Sequence, residues 1–65
     1  MHKQRRYRLM GSEYTETRLR KEQGHVVNDM WKEIDHSLIS GPDARVGNSI
    51  AVMFHDRAYQ LKRIQ

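Results

Sequence analysis

The residues best equipped for chemistry stand near the start of the chain. Arg5, Arg6 and Arg8 are planar, permanently charged donors suited to phosphate, and Tyr7 lies among them with a flat ring on which a nucleobase can stack. Arg18, Arg20 and Lys21 form a second basic group, and Lys3 extends the first. Basic residues interleaved with an aromatic residue are what a nucleotide or nucleic-acid ligand requires. The alternative for Tyr7 is simple packing of a basic arm against the body.

Other chemistries find little support. No cysteine is present, so the chain has neither a thiol nucleophile nor thiolate metal ligands. Neither a Gly-rich phosphate loop nor a Gly-x-Ser-x-Gly elbow occurs. Glu13 and Glu16 lie in a charged segment with no apolar run to raise a carboxyl pKa. His25, Asp29 and Glu33 have helical ligand spacing for a divalent ion, but lack a further histidine nearby and read better as a polar face. The expectation is a non-enzymatic protein with no cofactor and no metal.

Charge and length narrow the partners. The net charge is +4, and Lys3, Arg5, Arg6 and Arg8 all precede the first acidic residue. Such an arm on a nearly neutral body favours a phosphate-bearing partner. Neither a signal peptide nor a membrane span is apparent, so the chain reads as cytoplasmic. A chain of 65 residues makes one small domain, below the roughly 70–80 residues at which a lone core suffices. A homo-oligomer is therefore expected.

The elements that would hold these residues read as mostly α. Residues 1–11 form a basic arm, open to being a short strand. Ser12 is placed to cap a helix over 12–41. Its seam runs through Leu19, Val27, Met30, Trp31, Ile34 and Leu38, with Gly24 as a weak joint and Gly41-Pro42 as the stop. Gly41 is read as the left-handed residue after the helix. Residues 42–47 make a turn. Ile50, Met53, Phe54, Ala58, Leu61 and Ile64 then keep helical spacing over 48–65. Ile50–Phe54 also fits a strand, being short, apolar and partly β-branched. The helix is preferred, because neither Gly nor Pro interrupts the seam. Together these elements predict a helical hairpin with a basic N-terminal arm, assembling as an oligomer.

Several short motifs carry a likeness across nearly the whole chain: His2-Lys3-Gln4, Tyr7-Arg8-Leu9, Ser12-Glu13, Lys21 ahead of Gly24, Asp43 with Arg45, then Phe54, Leu61 and Arg63. In these the chain resembles the helical-hairpin sponge proteins with which phages sequester the cyclic oligonucleotide signals of the bacterial CBASS defence. The resemblance implies cyclic di- or trinucleotide ligands, with Tyr7 stacking a base and Lys21 meeting phosphate, and Arg8 and Arg45 are the further ligand-binding candidates. Lys3, Arg5, Arg6, Arg18 and Arg20 are the remaining phosphate or nucleic-acid contacts. The chain departs from the pattern at Val46, where tryptophan is typical, in a Tyr7-to-Lys21 spacing one residue short, and in lacking a clear threonine counterpart in the second helix. Locally, residues 45–52 are similar to the turn of swapped-hairpin antitoxins of the AbrB and MazE kind. Residues 24–38 more faintly resemble ribbon-helix-helix repressors. A DNA- or RNA-binding regulator and an interaction subunit of a larger assembly are the competing functions.

Overall fold

The computed structural model describes residues 4–65. Two β-hairpins and a broken helical run between them form two layers, a four-stranded antiparallel sheet with helices on one face. The first hairpin joins β1 (Arg6–Leu9) to β2 (Ser12–Thr15), and the second joins β3 (Ser49–Phe54) to β4 (Arg57–Arg63). The strand order is β2-β1-β4-β3, so the two hairpins meet along β1 and β4 at the centre.

This corrects the mostly α expectation. The basic arm is in part the inner strand β1. Residues 12–15 are strand, and the second amphipathic helix is replaced by β3 and β4. The competing periodicity explains the difference. Ile50, Val52 and Phe54 alternate along β3, and Tyr59 and Leu61 along β4, with all five turned toward the helices. The turn between them hid the hairpin. His55 and Asp56 both adopt positive φ, at 50° and 62°, as a two-residue hairpin turn demands, yet neither is the expected Gly or Asn. The turn of the first hairpin, Met10-Gly11, has φ of 53° and 79°.

Thr15 rather than Ser12 caps the first helix, its Oγ1 accepting from the Arg18 N–H at 3.3 Å. Helix α1 (Glu16–Glu22) ends at Gln23. The run resumes as α2 (Gly24–Val27), a 3₁₀ turn (Asn28–Met30), α3 (Trp31–Ile34) and a π-helical segment (Asp35–Ser40). The weak joint expected at Gly24 is therefore a real break. Gly41 has an extended conformation, φ −70° and ψ 165°, so it does not supply the left-handed cap. It allows a close approach instead, since a Cβ at this position would collide with the His36 carbonyl.

The helical seam survives these breaks. Leu19, Val27, Ile34 and Leu38 are fully buried against Tyr7, Leu9, Val52 and Leu61 of the sheet, with Val26 and Tyr14 completing the core. Trp31 packs at its margin, half-buried. Asn48 closes the loop before β3, its amide donating to the Asp43 carbonyl at 2.9 Å and the Ser37 carbonyl at 3.3 Å. Among the described residues no helix is long and apolar enough to cross a membrane.

Candidate nucleic-acid interface

Alternation along the strands divides the side chains between two faces. Tyr7 and Leu9 of β1 point into the core, so Arg6 and Arg8 emerge on the opposite, helix-free face. On β4, Leu61 points inward and Lys62 outward. The register pairs Arg8 with Glu13 on one side and Lys62 on the other, and Lys62 in turn with Ser49. The row Glu13–Arg8–Lys62–Ser49 thus crosses all four strands on the open face. Arg8 Nη2 donates to Glu13 Oε2 at 3.0 Å, while Lys62 makes no ion pair among the described residues.

Beside this row the sheet has a step. Pairing of β1 with β4 stops at the Leu9–Leu61 pair, whereas β4 continues outward to Arg57. Arg8, Met10, Gly11, Ala58, Tyr59, Gln60 and Lys62 line a shallow depression of about 440 Å³ there. Two cations and a side-chain amide at its rim can receive an anion. Thr15, Ala51, Met53 and Ala58, further outward residues of the face, are small or flexible, and none is aromatic.

The other sequence-predicted residues are dispersed. Tyr7 is at 0% exposure, so both ring faces are covered in this conformation. Its hydroxyl donates to Glu16 Oε1 at 2.7 Å, and its ring meets Trp31 edge-on with centroids 6.2 Å apart. Burial, reinforced by the Glu16 carboxylate, raises the phenol well above its ordinary pKa. Arg5 also reaches Glu16, at 3.4 Å. Arg18 holds Glu22 through two hydrogen bonds and lies over the Tyr14 ring at 5.6 Å. The Glu22 carboxyl is accordingly lowered and the Arg18 guanidinium raised, each chiefly through this mutual hydrogen bond. Arg20 lies over the Trp31 ring, 4.6 Å from its centroid. Lys21 is exposed on α1, Arg45 is exposed in the loop before β3, and Tyr7 lies in the core. Lys3 lies outside the described residues.

The helical-hairpin scaffold implied by the sponge resemblance is therefore replaced by a four-stranded sheet with helices on one face. What the structure brings together instead is Arg6 and Arg8 with Lys62, a residue the sequence reading did not single out. The available signal was period-two alternation in Ala58–Arg63, which puts Lys62 opposite Leu61. Among the described residues no three His, Cys, Asp or Glu side chains are grouped to hold a metal ion. His25 packs edge-on against Phe54, at 5.1 Å between centroids.

Comparison with protein families, with curated proteins and with solved structures finds no match to this chain.

Proposed function

We propose that the protein is a small non-enzymatic module that binds the sugar–phosphate backbone of a duplex nucleic acid through the open face of its sheet. One observation carries the reading. Arg8 and Lys62 face each other across the two central strands, on the exposed side, with Arg6 two residues along β1. Like charges directly opposite in a sheet destabilise it, so folding alone does not account for the pair. A phosphate bridging them converts repulsion into two charge-assisted contacts. Among the described residues no aromatic side chain alternates onto the open face, Tyr59 of the depression being turned toward the helices, and this favours a duplex backbone over unstacked bases, which need a stacking platform.

Binding of this kind is dominated by counterion release and carries little base specificity. With Arg6, Arg8 and Lys62 as contacts, log K should fall against log salt with a slope of about −3. Fluorescence anisotropy with a short labelled duplex across a salt series tests this. Replacing Arg8 or Lys62 by Gln should reduce the slope by about 1 each. A duplex that fails to bind at low salt, or variants that leave the slope unchanged, would remove the proposal.

A further inference from the structure

The strand order leaves β3 at the edge of the sheet, and among the described residues this edge has none of the usual protection. Its sequence, SIAVMF, contains no charge, proline or glycine over six residues. The opposite edge differs. Strand β2 is four residues long, carries Glu13 and passes directly into α1.

The direction of the free backbone groups follows from the hairpin. In a two-residue turn the flanking residues, Phe54 and Arg57, exchange both hydrogen bonds. Ile50, Val52 and Phe54 therefore bond toward β4, and Ser49, Ala51 and Met53 turn their N–H and C=O groups outward. Water solvates these exposed groups in a single copy, and another strand can take its place at all three residues.

We infer that the β3 edge pairs antiparallel with the same edge of a second copy, about a two-fold axis at Ala51. The strand is self-complementary in that register. Ala51 meets Ala51 of the second copy, and Ser49 meets Met53, so no charge faces a like charge. About six backbone hydrogen bonds form at these three positions. On the open face the pairing covers Met53, 55% exposed and among the most exposed large apolar side chains of the described residues. On the helix side it sets half-buried Ile50 beside Val52 of the second copy. Below this edge lies a concavity of about 370 Å³ lined by Lys32, Glu33, His36, Ser37 and Ile50. Lys32 and Glu33 bring both signs of charge to the rim, so two copies meet without net repulsion.

A contact built on one edge strand is small beside a standard interface of ~1,200 Å², so the dimer is expected to dissociate on dilution. The inference is independent of nucleic-acid binding and is tested without any ligand. Sedimentation velocity over a dilution series should show the mass double with concentration. Ala51→Pro removes an N–H that only the dimer uses, and it should leave a monomer with an unchanged circular-dichroism spectrum. A charge pair fixes the register independently. Ser49→Lys with Met53→Lys sets like charges opposite each other and abolishes the dimer. Ser49→Glu with Met53→Lys sets opposite charges and retains it. A wild-type chain monomeric throughout the series, or a dimer that survives both Ala51→Pro and the double-lysine change, would overturn the inference.

Discussion

Arg8 of β1 and Lys62 of β4 are cross-strand partners on the open face of the sheet, at the junction of its two hairpins. Stability and binding should therefore respond in opposite directions at Lys62. Lys62→Gln removes a like-charge neighbour and should raise unfolding free energy by about 0.2–1 kcal/mol. The same change should weaken duplex binding, most clearly at low salt. Urea denaturation and anisotropy on one protein sample measure both.

Glu13 is the competitor for Arg8. Its carboxylate holds the guanidinium at 3.0 Å in an exposed pair, and such pairs contribute about 0–1 kcal/mol. Glu13→Gln should cost little stability while freeing Arg8 and removing a repulsive charge from the interface. Tighter duplex binding with a steeper salt slope is the expected result. Unchanged affinity would mean that Arg8 does not meet phosphate.

Tyr7 ties the first strand to the first helix through Glu16. Tyr7→Phe should cost about 1–2 kcal/mol, toward the lower end for a hydrogen bond to a charged group, because Glu16 keeps its contact with Arg5. The raised phenol pKa adds a pH signature. A proton held more tightly by the folded state stabilises it fully below the unfolded value near 10, and that contribution declines as pH rises above it. The stability difference between wild type and Tyr7→Phe should therefore shrink above about pH 10 in urea titrations at stepped pH.

Gly41 is required for space, not for a left-handed backbone. Gly41→Ala puts a methyl group into the His36 carbonyl at the end of the π-helical segment. A loss of about 1–3 kcal/mol is expected, as for overpacking of a tight site. Thermal unfolding followed by circular dichroism reads it directly.

The His55-Asp56 turn runs the other way. Both residues occupy positive φ, where Asn and Gly fit best. The double change His55→Asn with Asp56→Gly should stabilise the second hairpin by about 0.5–1 kcal/mol. Chemical denaturation gives the difference, and a neutral or destabilising result would point to a role for the imidazole against Phe54, whose ring centroid lies 4.1 Å away.

The helical seam from Leu19 to Leu38 was legible because a 3.6-residue period persists through local breaks, and the same residues do line the core. The second half misled for a physical reason. Ile50, Met53, Phe54, Ala58, Leu61 and Ile64 satisfy a helical period, while Ile50, Val52, Phe54, Tyr59 and Leu61 satisfy a strand period across a turn that carries no turn-forming dipeptide. Tertiary pairing with β1 decides between them, and no local window contains that information. The candidate site follows the same division. Arg6 and Arg8 stood out as a cluster within three residues, but Lys62 joins them only once the sheet is formed. Tyr7 was conspicuous as an aromatic among cations. Its position opposite Tyr14, inside the sheet rather than on it, depends on a register the sequence does not display.

The central seam of the sheet joins residues more than fifty positions apart, Tyr7 with Arg63 and Leu9 with Leu61, whereas each hairpin is closed by a two-residue turn. Local closures are fast and the distant one is slow, because its loop entropy must be met before any contact repays it. The rate of acquiring the native state is thus governed by how the two ready-made halves find each other. The helical run, folded onto both, acts as the tether that sets their effective concentration.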